Sequence, residues 1–229
     1  WAILITVAMT IAGVILSTLH QSALGALFLM APGKLHPLWY SAFIPVFFFI
    51  SSIYAGLCMV IVVSTVAVRY LREKADNEFL DSLDGLTVGL GKAACIVMFV
   101  YFALRMIGVA HDDNWALLSS SYGYWFLTEV LLFVLLPCVV LTVGVKRNSA
   151  RIVRVGAFHA IAGVILTRLN ISILMFNWNL PGHFQAIVPP MREVLIVLSI
   201  ITLHILIFRW ILNRMPVMRE DPAYLEDRH

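Results

Sequence analysis

The sequence predicts an all-α polytopic membrane protein, a bundle of about six transmembrane helices. Hydrophobic residues make up 61% of the 229 residues and charged residues only 13%, with a mean hydropathy of +0.92. A soluble globular domain is about half apolar and about a quarter charged, so both shifts indicate lipid as the solvent. The net charge of +3 is too small to favour nucleic acid as a partner.

Six apolar segments are each long enough to cross a bilayer, which takes about 20 mostly apolar residues. We call them spans A to F, and they cover residues 1–30, 38–68, 86–110, 122–145, 152–176 and 191–212. Spans A and B exceed the required length, so we expect them to tilt or to extend beyond the hydrocarbon.

The connections between spans alternate in charge. The segments after spans B, D and the end of F are basic: Arg69, Arg72, Lys74; Lys146, Arg147, Arg151, Arg154; Arg209, Arg214, Arg219, Arg228. Connections A–B, C–D and E–F hold Lys34, Asp112 and Asp113 and no other Lys, Arg, Asp or Glu before Arg192. The positive-inside rule therefore predicts a cytoplasmic C-terminus, with these three connections outside. The Pro- and aromatic-rich E–F connection is expected to lie on the outer surface.

Ionisable residues within the spans gather toward the outer side. Arg105 precedes Asp112 by seven residues and Glu129 follows Tyr122 by seven, so both lie about 10 Å below the outer surface. Their shared depth on consecutive antiparallel spans predicts an ion pair. Arg168 lies roughly 12 Å deep on span E. His20 is expected near mid-membrane on the outer side, whereas His159 belongs to the cytoplasmic half.

These residues have two interpretations. Charged groups in membrane spans usually face the bundle interior and pair, so they can form a network that only locks helices together. Alternatively, the cluster handles protons and binds the polar head group of a ligand, because His and carboxylates titrate and a neighbouring Arg keeps a carboxylate ionised.

Metal and haem sites are not expected in this chain. Cys58, Cys95 and Cys138 lie singly in apolar stretches, without the paired spacing of a zinc or Fe–S site. A b-type haem needs two axial imidazoles from facing helices. His20 with His204 is the only such pair that their depths leave open.

Two stretches carry a family resemblance. Residues 15–61 contain His-Gln-Ser before a small-residue run and then the turn Leu-His-Pro-Leu-Trp-Tyr. Residues 165–178 (ILTRLNISILMFNW) are followed by Pro-Pro-Met-Arg-Glu-Val at 189–194. The chain thereby resembles the HybB branch of the NrfD family, the polysulfide reductase membrane subunits.

The resemblance implies an NrfD-like fold of about ten helices, of which this chain would hold the last six. The start inside an apolar run, without an initiator Met, also predicts upstream helices. Residues 1–30 would be the last helix of a first four-helix bundle, and residues 31–176 the second bundle. Residues 177–213 would form an outer cap loop and the final span, and residues 214–229 a cytoplasmic tail.

The resemblance also implies a location in the bacterial cytoplasmic membrane and a function. Such a subunit carries no haem or Fe–S cluster and exchanges electrons between menaquinone, or another quinone, and a periplasmic Fe–S subunit. That subunit would belong to a [NiFe] hydrogenase, a molybdoenzyme or a multihaem cytochrome, so this chain would not be a complete enzyme alone. His20 would bind the quinone; the residues expected to transfer protons are Glu129, Arg105, Arg168 and His159. The alternatives are a secondary transporter or channel and a b-type cytochrome anchor.

Overall fold

The computed structural model describes residues 2–71, 77–176, 178–179 and 191–214. The helices are α1 (Ala2–Leu27), α2 (Ile44–Leu71), α3 (Asn77–His111), α4 (Ser121–Val130), α5 (Leu136–Lys146), α6 (Ala150–Leu169) and α7 (Met191–Arg214). A π-helical turn, Leu131–Leu135, joins α4 to α5, and another, Asn170–Leu174, extends α6. Six of the described helical spans are long and apolar enough to cross a membrane. The prediction of an all-helical, multi-pass membrane protein is confirmed.

Two span boundaries differ from the prediction. The helix of span B begins at Ile44 rather than at residue 38, because the apolar residues Leu38 and Trp39 are buried within the preceding connection instead. The helix of span C begins at Asn77, nine residues earlier than expected. Its first turns are amphipathic, with Leu83 buried and Asp84 exposed, so a charged segment continues the helix.

Four spans pack side by side: α2, α3, the α4–α5 span, and α6. Their shared core includes Tyr54, Met98 and Leu141, all less than 2% exposed. Close approach of α6 to the α4–α5 span depends on Gly163, where an added Cβ would lie 2.3 Å from the Phe133 carbonyl oxygen. Small residues at such crossings are what allow membrane helices to pack closely.

Helices α1 and α7 lie at the margin of this bundle. The described side chains of α1 from residue 5 to residue 17 are all exposed, and α1 is buried only where Gly25 meets Ile44 and Phe48 of α2. On α7 no described side chain is buried. Both helices therefore present apolar surface to lipid or to another protein.

The connections A–B, C–D and E–F meet at one end of the bundle, as the alternation of loop charge predicts. The His36 backbone N–H donates to the Met175 carbonyl (3.0 Å), and Asn114 Nδ2 donates to the Pro37 carbonyl (3.2 Å). We call residues 31–43, 112–120, 175–176 and 178–179 the cap layer. Residues 177 and 180–190, most of the E–F connection expected at the outer surface, and the tail from residue 215 lie outside the described residues.

Candidate functional site

A buried carboxylate, Glu129, lies where the cap layer meets the bundle and is only 2% exposed. Trp39 Nε1 donates a hydrogen bond to Oε2 (2.9 Å), and Asn170 Nδ2 donates to the same oxygen (2.5 Å). Thr167 Oγ1 donates to Oε1 (3.1 Å). Hydrogen bonds to an ionised group are the strong ones, so three donors from two other chain segments hold this carboxylate in place.

Arg105 faces the same carboxylate and is 3% exposed. Its Nη2 lies 3.7 Å from Glu129 Oε1, which confirms the ion pair predicted from their shared depth. The guanidinium carbon lies 4.8 Å from the ring centroid of Phe126 and 5.4 Å from that of Phe47, within cation–π distance of both. At 3.7 Å the contact with Glu129 is electrostatic and too long for a hydrogen bond.

Arg168 forms a separate contact. Its Nη2 donates to Ser51 Oγ (2.8 Å), and its guanidinium carbon lies 3.5 Å from the ring centroid of Phe48. Arg105 and Arg168 border one crevice, but that crevice has no room for the centre of a water molecule. The structure therefore brings Arg105 and Glu129 together and leaves Arg168 beside them, bonded to α2.

Both spans that build the site depart from regular α-helix there. The π turn Leu131–Leu135 begins two residues after Glu129, and Asn170 opens the second π turn. π turns are rare in proteins overall, and those that occur are often found at functional sites. The first one precedes Pro137, which lacks an N–H and whose ring would clash with the carbonyl four residues earlier in a regular helix.

His36 lies above the carboxylate, buried in the cap layer at 4% exposure. Its ring contacts those of Trp39, Tyr122 and Trp178, with centroids 5.5, 4.7 and 4.9 Å away. The Leu38 backbone N–H donates to Nδ1 (3.2 Å), so the neutral ring carries its proton on Nε2. Burial lowers the pKa of His36 from 6.5 to about 4. The imidazole is therefore neutral near pH 7.

His20 and His159 do not join this cluster. His20 lies on an exposed part of α1. His159 is half-buried on α6, against the ring of Phe133 at 5.4 Å between centroids. It precedes Thr167 by eight residues, which places it about 12 Å further toward the basic end of the bundle. The roles assigned to both histidines stay predictions.

Sequence reasoning missed His36, Trp39 and Thr167 as parts of the site. The first two belong to the Leu-His-Pro-Leu-Trp-Tyr turn, which marked the resemblance without a role attached to it. Thr167 gave no signal, because a threonine in a membrane helix usually bonds only to its own backbone.

The chain matches the family model described as "Polysulphide reductase, NrfD" over residues 1–177. A protein of Nitratidesulfovibrio vulgaris is 44% identical over 225 residues, covering 98% of this chain and 58% of that protein. The "Probable Ni/Fe-hydrogenase 2 b-type cytochrome subunit" of Escherichia coli is 30% identical over 220 residues, covering 95% of this chain and 54% of that protein. No solved structure shows a significant match. The chain thus spans somewhat more than half the length of these relatives, and it belongs to the polysulphide reductase NrfD family.

Proposed function

We propose that the chain is part of a quinone-reactive membrane subunit of a respiratory oxidoreductase. It would exchange electrons between menaquinone and a periplasmic Fe–S subunit. The observation that carries this proposal is the family membership, together with the relative named as a hydrogenase 2 subunit, which aligns with 95% of this chain. The multi-pass helical fold supports it, since a quinone dissolves in the hydrocarbon and must be reached there.

The quinone itself is proposed to lie against α1, outside the α2–α6 bundle. Of two cavities that Arg105 lines, one admits a water centre over about 10 Å³ and the other over none, far less than a quinone ring needs. His20 is exposed on α1, and an imidazole can donate a hydrogen bond to a quinone carbonyl and exchange a proton near neutral pH.

The buried pair is proposed to assist proton movement in the second bundle. Glu129 and Arg105 are the closest opposite charges in the described core, and both are buried at the boundary of the cap layer. Arg168 and His159 would continue the route toward the basic end. A carboxylate in membrane hydrocarbon with its own hydrogen-bond network is expected to serve a function more often than an exposed one.

The test is quinone turnover by the complete complex, purified through a tag on this subunit. His20→Ala should abolish or strongly reduce turnover with quinone while leaving subunit assembly and the partner's activity with an artificial electron acceptor intact. His204→Ala is the matched control, since it removes another exposed histidine of a membrane span. Unchanged quinone turnover and unchanged inhibitor binding in His20→Ala would reject the site at α1.

A second candidate, a b-type cytochrome anchor, is favoured by the name of the Escherichia coli relative. The α2–α6 bundle does not fit a bis-imidazole haem, since its two described histidines lie at different depths. His111 ends α3 at the cap layer, whereas His159 lies toward the other end of the bundle. The pair His20 and His204 remains open. A reduced-minus-oxidised spectrum of the isolated subunit decides: a haem band supports this candidate. A transporter would instead purify alone and move solute in liposomes.

A further inference from the structure

One nitrogen of the buried arginine lacks a hydrogen bond. Arg105 Nη2 is buried and has no hydrogen-bond partner in the described part of the chain, although Glu129 lies 3.7 Å away. An unsatisfied buried donor costs free energy, more so when it is charged, so such groups in native proteins usually bind an ordered water or an ion.

A small cavity lies on the cap-layer side of that arginine. The polar residues in its lining are Tyr40, Ser41, Arg105, Asp112 and Asn114. A water centre can occupy about 10 Å³ of this cavity, the lower limit for holding one water molecule. A water also needs two or more polar partners, and this lining supplies them. The site therefore has the size and the chemistry for one water molecule.

The cavity leads to the surface of the cap layer. Asp112 lies seven residues after Arg105, about 10 Å further along the helix direction, and it is exposed. An exposed carboxylate at the mouth of a polar cavity is in contact with bulk water. The buried arginine thus borders a cavity whose lining also includes a residue at the aqueous surface on this side.

Among the residues that the structure describes, the opposite side of the pair is closed. Titratable or charged side chains facing it from the basic end are Tyr54 on α2, Tyr101 on α3 and Arg168 on α6. The two tyrosine rings lie 5.5 Å apart, and the crevice from Arg168 and Tyr101 to Arg105 has no room for a water centre. Beyond them follows the apolar core: Met98, Val134, Leu141, Ala157 and Ala160.

We propose that one water molecule, bound by Arg105 Nη2, connects the Arg105–Glu129 pair to the cap-layer surface, and that water reaches the pair from this side alone. The proposal concerns access and holds whatever the pair does. If the pair also moves protons, as the proposed function has it, those protons enter or leave past Asp112.

The test uses Ag⁺, a thiol-reactive ion no larger than a water molecule, on Ser41→Cys in the complete complex in sealed vesicles. Ser41 lines the cavity and is 4% exposed. Ag⁺ added on the cap-layer side should protect the introduced thiol, seen after denaturation as loss of maleimide labelling of its peptide. Ser51→Cys is the matched control, because Ser51 is 3% exposed on α2 and does not line the cavity. Its introduced thiol should stay reactive to maleimide.

The Ser119→Cys variant determines which side of the vesicle membrane the cap layer faces, since Ser119 is exposed in the cap layer. An impermeant maleimide that labels this variant in intact vesicles identifies the side to which Ag⁺ is added. Protection of the Ser41→Cys thiol from the opposite side, or equal protection in Ser51→Cys, overturns one-sided access. No protection from either side overturns the cavity itself.

A second measurement needs no variant. A structure of the wild-type complex, at a resolution that shows ordered waters around other buried polar groups, should contain a water within hydrogen-bond distance of Arg105 Nη2. An Nη2 that is bonded instead to a protein group overturns the proposal, even where the cysteine variants fail to assemble. Neither measurement depends on quinone turnover, so this inference and the proposed function fail separately.

Discussion

Removing one charge of the buried pair should destabilise the fold more when the unpaired charge left behind is Arg105 than when it is Glu129. Glu129→Gln keeps the side-chain volume but leaves Arg105, which is 3% exposed, without an opposite charge, facing the rings of Phe47 and Phe126. Breaking a buried ion pair in this way costs about 3–5 kcal/mol. The cation–π contacts with the two aromatic rings each offset about 0.5–2 kcal/mol of this cost.

The reverse change leaves a better-compensated charge. In Arg105→Met, Glu129 still accepts hydrogen bonds from Trp39, Thr167 and Asn170. Each hydrogen bond to a charged group contributes about 1.5–3 kcal/mol, so this variant should lose at least about 0.5 kcal/mol less than Glu129→Gln. The free energy of unfolding is measured by sodium dodecyl sulfate titration in mixed micelles.

The double variant completes the comparison. Combining Glu129→Gln with Arg105→Met removes both charges, so its loss should be smaller than the sum of the two single losses. Equal losses in the two single variants, or additive losses in the double variant, would show that the three donors and the ion pair do not act as described.

Three further predictions follow from the same contacts. Gly163→Ala should destabilise by about 1–3 kcal/mol, because its Cβ would lie 2.3 Å from the Phe133 carbonyl, whereas Gly13→Ala, with nothing within 4 Å, should be neutral or stabilising in the same titration. Asn170→Ala should lose about 1.5–3 kcal/mol with the Glu129 bond, and an unchanged unfolding free energy would contradict that bond. His36 takes up a proton near pH 6.5 when unfolded but only near pH 4 when folded, so its contribution is complete above pH 6.5 and is lost as pH falls from about 6.5 to about 4. His36→Phe, which keeps the ring contacts, should flatten the pH dependence of stability in that window, and an unchanged profile would contradict the burial of a neutral imidazole.

The sequence was sufficient for the parts of the fold that depend on burial in lipid and on depth. Span lengths and loop charges predicted the six spans, and the 1.5 Å rise per residue was enough to pair Arg105 with Glu129. Span length, loop charge and depth are all counted along the chain, so the sequence alone is enough to predict them. The early start of α3 was missed because a helix that leaves the membrane carries charged residues on its exposed side.

The remainder of the site depends on side-chain direction, which the sequence could not supply. The bond from Asn170 to Glu129 is made from the first residue of a π turn, where regular helical spacing no longer holds. Trp39 bonds to a residue 90 positions away, from a connection that reads as the start of a span. Such long-range contacts follow from tertiary packing.

The two π turns have a consequence for how this site can change during evolution. Each turn holds one residue more than an α-helical turn, so deleting a single residue from Leu131–Leu135 would restore a continuous α-helix. A π turn and an α turn each complete about one rotation, so the segment carrying Glu129 would keep nearly its present direction relative to the rest of its span. Deletion of a single residue from these turns would therefore alter the backbone beside the carboxylate while leaving both the direction of Glu129 and the transmembrane span intact.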